Sequence, residues 1–141
     1  METSFKSRAF PFIFWIMIIV LLVDTYDTFS REVIGYFKGS IPLGDINIEP
    51  STLGLFVSVI QIILVLYGIY LLFKKKKVGG YWVVGVNFVA VGVNFVLFFL
   101  GFIPGPSSGY FSQLFLFIFI YFIVLCLVAI GIPRFYSEKF D

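Results

Sequence analysis

The chain has 141 residues, of which 60% are hydrophobic, 21% aromatic and only 13% charged, and its mean hydropathy is +1.06. This composition excludes an ordinary soluble domain and indicates an integral membrane protein. Ten Lys and Arg against eight Asp and Glu give a net charge of +2, which is too small to indicate a nucleic-acid partner.

The chemistry open to this chain is limited by its lack of histidine and by its one cysteine, Cys126. The usual ligand sets for haem, copper, zinc and iron–sulfur clusters cannot be assembled from this chain alone. The sequence also has no nucleotide-binding loop, no nucleophile elbow and no CxxC pair. These exclusions predict a protein that is not an enzyme and that binds no cofactor or metal.

The first apolar run predicts a membrane span at residues 9–29. Pro11 fits near the start of this helix, where its missing N–H costs no hydrogen bond. No small-residue cleavage pattern follows the run, so we expect an uncleaved span rather than a signal peptide. Asp24 and Asp27 are then expected at the outer interface of the membrane.

The long connection at residues 30–51 is predicted to be an outer loop. Apolar and aromatic side chains recur at roughly helical spacing over residues 28–38, which predicts a short amphipathic helix on the membrane surface. Residues 41–50 contain two prolines and a glycine, and we expect them to be extended and irregular.

Three further apolar stretches predict spans at residues 52–73, 80–103 and 110–132. Residues 74–79 form a short loop between two of these spans, and a breaker-rich turn at residues 104–109 leads into the last one. The predicted fold is therefore an all-α integral membrane protein: one domain, an antiparallel four-helix transmembrane bundle, with a short amphipathic surface helix in the first outer loop.

The lysines at positions 74–77 predict the orientation of this bundle. Lys74, Lys75, Lys76 and Lys77 resist translocation and mark their loop as cytoplasmic. The N-terminal segment, this loop and the C-terminal tail hold eight of the ten basic residues, so both termini are expected in the cytoplasm of a multi-pass cell-membrane protein. The same lysines have a second interpretation as a patch that binds anionic lipid.

The third predicted span contains a seven-residue repeat, VGVNFVA followed by VGVNFVL. Seven residues advance a helix by nearly two turns, so Asn87 and Asn94 share one stripe, with Gly85 and Gly92 on the opposite one. A helix with small or polar residues on opposite faces can contact helices on both sides. We therefore expect the third span to lie in the middle of the bundle or against a second copy.

The second span offers a matching polar face with Ser58 and Gln61. Gln61 and Asn94 each lie nine residues from the outer end of their predicted spans, which predicts a side-chain hydrogen bond between them. Two interpretations of these amides stay open: packing contacts between helices, or a polar path for a substrate or ion.

Apart from the two aspartates expected at the interface, the predicted spans contain no Asp, Glu, Lys or Arg. Proton-coupled transporters generally need such a group within the membrane. We therefore expect a structural or accessory subunit of a larger membrane complex, or a homo-oligomer, whose partners are membrane lipids and other membrane subunits. The alternative is an oligomeric channel or facilitator lined by the polar residues of spans two and three, namely Ser58, Gln61, Asn87 and Asn94.

Overall fold

The computed structural model describes five ranges of the chain, residues 5–39, 41–43, 46–48, 52–101 and 111–141. Within these ranges the protein is almost entirely helical, and four helices are long and apolar enough to cross a membrane. They are α1 (Phe5–Lys38), α2 (Thr52–Phe73), α3 (Val78–Phe99) and α4, which continues from Phe111–Cys126 through Leu127–Gly131 and Ile132–Phe135. The predicted helical class and the four long apolar helices are confirmed.

Helix α1 continues well beyond the predicted first span. Its α-helix over Phe5–Thr28 passes through a π-helical segment, Phe29–Ile34, into a last turn, Gly35–Lys38. It ends at Gly39, whose left-handed φ of 90° is a common helix cap. The helix predicted over residues 28–38 is therefore present as part of α1 and not as a separate element, because charged residues alone do not end a helix.

The other helices match their predicted limits to different degrees. Helix α2 covers the same residues as the second predicted span, whereas α3 begins two residues earlier and ends four residues earlier than 80–103. The predicted turn at residues 104–109 lies outside the described residues. Between α1 and α2, the backbones of Ile41–Leu43 and Ile46–Ile48 pair as a short antiparallel ladder.

Helices α2 and α3 share the most extensive contact among the described elements. Gly68 of α2 faces Gly79 of α3, and a Cβ atom added at Gly68 would lie 3.2 Å from the Gly79 carbonyl oxygen. The indole Nε1 of Trp82 donates to the backbone carbonyl of Leu64 at 2.7 Å. The absence of side chains at these glycines lets the two backbones approach closely, as in many membrane helix pairs.

Helix α3 also contacts α4 along its length. Gly80 lies against the backbone of Ala129, in the π-helical part of α4, and a Cβ atom there would overlap the Ala129 carbonyl group. Farther along, the rings of Phe95 and Phe115 stack with centroids 5.4 Å apart. Two glycines in succession, Gly79 and Gly80, therefore bring α3 close to two different helices.

Helix α1 runs alongside the whole of α2. The rings of Trp15 and Phe73 are 6.0 Å apart, and the hydroxyls of Tyr36 and Thr52 are 3.0 Å apart. Trp15 and Tyr36 are 21 positions apart on α1. The residues that they contact, Phe73 and Thr52, are also 21 positions apart and lie at the two ends of α2. The stretch of α1 from Trp15 to Tyr36 therefore matches the full length of α2, ~32 Å.

Three separate segments meet at one end of the bundle, which we call the basic end: residues 5–10, 74–77 and 136–141. Asp141 exchanges backbone hydrogen bonds with the lysine turn, donating to the Lys75 carbonyl at 2.8 Å and accepting from Lys77 N–H at 3.0 Å. The hydroxyl of Tyr136 donates to the Lys6 carbonyl at 2.9 Å. The first helix turn, the lysine turn and the C-terminal segment thus hold one another.

Candidate functional site

A polar contact joins α1 and α4. The hydroxyl of Tyr121 donates a hydrogen bond to Oδ2 of Asp24 at 2.7 Å, and both residues are partly buried. Thr25, the next residue of α1, is buried, and its hydroxyl donates to the Leu21 carbonyl at 2.8 Å. The fold therefore provides a carboxylate with one specific donor among apolar helices.

Asp24 lies near the middle of the length that α1 shares with α2. It comes nine residues after Trp15 and twelve before Tyr36, the residues that contact the two ends of α2. At 1.5 Å per residue these separations are ~14 Å and ~18 Å. This position differs from the one expected at the end of a span, because α1 continues past its first acidic residues.

More charged side chains follow Asp24 along α1. Nη1 of Arg31 lies 2.7 Å from Oδ2 of Asp27, and Nε of Arg31 lies 3.6 Å from Oε1 of Glu32. The Asp27 side chain is 65% exposed, whereas that of Arg31 is 23% exposed. Arg31 Nε is buried and has no hydrogen-bond acceptor in the described part of the chain. These ionisable side chains of α1 thus begin beside the middle of α2 and continue toward the end of α2 at which its first residue, Thr52, lies.

Gln61 and Asn87 form a second polar contact, between α2 and α3. Nε2 of Gln61 donates to Oδ1 of Asn87 at 2.6 Å, and Nδ2 of Asn87 donates to the Val83 carbonyl at 2.9 Å. The predicted hydrogen bond between Gln61 and Asn94 is therefore wrong. The register of these helices is fixed by the short lysine turn, whereas the prediction counted from the outer ends of the spans and placed the end of α3 four residues too late.

The other residues predicted on spans two and three differ in their exposure. Ser58 is buried, and Asn94 is partly buried farther along α3. Gly85 and Gly92 are exposed, and a Cβ atom added at either would meet nothing within 4 Å in the described structure. Their predicted contact with a second copy stays a prediction. Within the described chain the close helix contacts belong to other glycines, which are Gly68, Gly79 and Gly80.

The predicted lysines form the turn between α2 and α3, with Lys74, Lys75 and Lys76 exposed. The ammonium group of Lys75 lies 5.7 Å from the centroid of the Phe10 ring, and that of Lys139 lies 5.9 Å from the same ring. Both interpretations of the lysines, as a topology signal and as an anionic-lipid patch, stay predictions.

The outer surface of the α2–α3 pair carries an apolar groove of about 470 Å³. Gln61, Trp82 and Gly85 are among the residues that line it. Because Gly85 has no side chain and its surroundings are open, the groove floor can be approached closely by another chain or by lipid.

Together these features define a class of protein: a small helical bundle with four helices apolar enough to cross a membrane and polar contacts between them. Among the described residues, no group of three His, Cys, Asp or Glu side chains is placed to hold a metal ion. Comparisons with protein-family models, curated proteins and solved structures found no match for this chain.

Replacement of Asn87 by Leu is expected to destabilise the bundle by about 1–2 kcal/mol, because Gln61 loses its acceptor in the contact between α2 and α3. Thermal unfolding in detergent micelles measures the loss. Asn94→Leu is the matched control, since it changes a partly buried amide of the same helix that is not the partner of Gln61. Equal destabilisation by the two substitutions would contradict a specific role of the Gln61–Asn87 bond.

Proposed function

We propose that the four long helices cross a membrane as an antiparallel bundle, with the basic end in the cytoplasm. The interhelical contacts support an antiparallel arrangement, because Gly68 faces Gly79 whereas Gln61, earlier in α2, meets Asn87, later in α3. The contacts of α3 with α4 also support an antiparallel arrangement, because Gly80 meets Ala129 whereas Phe95, later in α3, meets Phe115, earlier in α4. The lysine turn and the basic residues near both termini support the orientation, since cytoplasmic segments are rich in Lys and Arg.

The function we propose for this bundle is association with other membrane proteins, as a structural or accessory subunit of a larger complex or as a homo-oligomer. One observation carries the proposal: the Asp27 side chain is 65% exposed although Asp27 lies far from the end of the bundle. It comes nine residues, ~14 Å, before Tyr36, the residue of α1 that contacts Thr52 at the first turn of α2. A charged residue facing lipid deep in a bilayer costs roughly 2.5–3.5 kcal/mol on insertion scales. A protein partner on this face of α1 removes the contact between the Asp27–Arg31 pair and lipid.

Two further features support association over a polar path. The groove between α2 and α3 exposes Gly85, which suits the close approach of a neighbouring helix. The amides of Gln61 and Asn87 bond to each other, so in a single chain they act as a helix contact and do not line an open channel.

The test is to extract the tagged full chain into lipid discs directly from its own membrane and to measure the mass and composition of the particles. We expect a fixed number of partner chains or copies. The double substitution Asp27→Ala and Arg31→Ala, which removes the ion pair as a unit, is expected to lower the recovered partner by at least about tenfold, ~1.4 kcal/mol of binding.

Glu138→Ala is the matched control for this test, because it removes an exposed carboxylate that pairs with Lys6 at the basic end. It is expected to leave the composition of the particles unchanged. A wild-type chain recovered alone with lipid would contradict the proposed association, and full retention of the partner by the double variant would contradict the role of α1. Ion flux through liposomes that is lost on Gln61→Leu and Asn94→Leu, with assembly intact, would instead favour the channel.

A further inference from the structure

We propose that Asp24 is a proton-binding site inside the bundle, held by Tyr121 and reached from the end of the bundle opposite the basic end. This inference goes beyond association with partners, because it gives the chain a ligand of its own. It rests on the depth of Asp24, on the hydrogen bond between α1 and α4, and on the distribution of ionisable groups along α1.

The depth of Asp24 makes its charged form costly in a membrane. The carboxylate lies near the middle of the stretch from Trp15 to Tyr36, which runs alongside all of α2. The Tyr121 hydroxyl, 2.7 Å from Oδ2, offsets part of this cost with one hydrogen bond. Binding a proton removes the charge itself, and the carbonyl oxygen of the resulting carboxylic acid can still accept from Tyr121. Intramembrane carboxylates of this kind are characteristic of proton sites.

The neighbouring oxygens do not form a metal site. The hydroxyl of Thr28 donates to the Asp24 backbone carbonyl at 3.2 Å, and that of Thr25 donates to the Leu21 carbonyl. Hard cations such as Ca²⁺ require six to eight oxygen ligands. In the described part of the chain no cluster of carboxylates is arranged for this purpose. One carboxylate with one phenol donor fits a proton instead.

The groups that influence this site come from α1 and α4. Asp27 and Arg31 of the same helix act electrostatically on Asp24, and Tyr121 faces it from α4. Helices α2 and α3 contain no Asp, Glu, Lys or Arg, and their titratable side chains are tyrosines toward the basic end, Tyr67, Tyr70 and Tyr81. The response of Asp24 to pH therefore depends on a small set of named groups.

Access to Asp24 is available from one direction along α1. Toward Tyr36, the carboxylates of Asp27 and Glu32 are two further groups that can bind and release a proton, and both lie close to the guanidinium of Arg31. Toward the basic end, residues 9–23 contain no ionisable side chain. The proton-exchanging groups of α1 near Asp24 thus lie on the side opposite the basic end, and we infer that the proton reaches Asp24 from that side.

The test is infrared difference spectroscopy of the full-length protein in liposomes, titrated between about pH 4 and pH 9. We expect the carbonyl stretch of protonated carboxyl groups to grow as the pH falls, and one component of this band to be lost in Asp24→Asn while the components from the other carboxyl groups remain. Tyr121→Phe keeps the carboxyl group of Asp24 but removes its donor, so this component is expected to move to higher frequency. Glu138→Gln removes a carboxylate at the basic end and is expected to leave this component unchanged.

Two outcomes would overturn the proposal. One is an Asp24→Asn spectrum that lacks no component of the wild-type band of protonated carboxyl groups. The other applies if Asp24→Asn does not fold: a Tyr121→Phe protein in which no component of the band shifts assigns the proton to a different carboxyl group. The measurement needs no partner chain, so its result is separate from that of the association test.

Discussion

Gly80→Ala is expected to lower the thermal midpoint of the bundle by roughly 10 °C, a loss of ~3 kcal/mol at the upper end of overpacking costs. The added Cβ atom would overlap the backbone carbonyl of Ala129 in α4. Rotation of a side chain cannot relieve a clash with backbone, so α3 and α4 must move apart. Thermal unfolding in detergent micelles, followed by circular dichroism, measures the shift.

Gly85→Ala provides a matched control on the same helix. A Cβ atom at Gly85 meets nothing within 4 Å in the described structure, and alanine restricts the unfolded chain more than glycine does. The control is expected to keep or raise the midpoint, by up to about 1 kcal/mol of stability. Similar midpoints for the two variants would show that the contact between Gly80 and Ala129 does not determine how closely α3 and α4 pack.

The sequence predicts the number and class of the long helices because hydrophobicity is a local property. The uncharged run of α2 has the same limits in the prediction and in the structure, since charge and proline stand at its borders. For α1 the predicted span ends at residue 29, whereas the helix continues to Lys38. Asp24 and Asp27 look like the end of a span, but their partners, Tyr121 and Arg31, allow the helix to continue.

The polar contacts were harder to predict, because they depend on the register between helices. The amides Gln61 and Asn87 were both identified as candidates, but their pairing is set by the length of the lysine turn. The bond between Asp24 and Tyr121 joins residues 97 positions apart, which periodicity along one helix cannot reveal. The signal for the close helix contacts was present in Gly79 and Gly80, although a glycine pair after a charged loop also predicts a turn.

Tyr136→Ala is expected to release the C-terminal segment from the basic end and to cost ~3–4 kcal/mol, as for other buried aromatic side chains. Tyr136 is 1% exposed, and its ring lies 5.0 Å from that of Phe10. Its hydroxyl bond to the Lys6 carbonyl is worth only about 1 kcal/mol, so Tyr136→Phe is expected to retain most of the stability. The thermal midpoint and the rate of proteolysis of residues 136–141 measure the two effects.

Phe135→Ala separates the role of Tyr136 from that of aromatic content at the basic end. The Phe135 side chain is adjacent in sequence but 58% exposed, and Lys6 lies 4.4 Å from its ring centroid. An exposed cation–π contact is worth ~0.5–1 kcal/mol, so this variant is expected to keep the C-terminal segment protected. Equal proteolysis of the Phe135 and Tyr136 variants would contradict the role of Tyr136. A selective effect would show that the buried ring of Tyr136 helps to link the first helix to the segment that holds the lysine turn, beside the buried ring of Phe140.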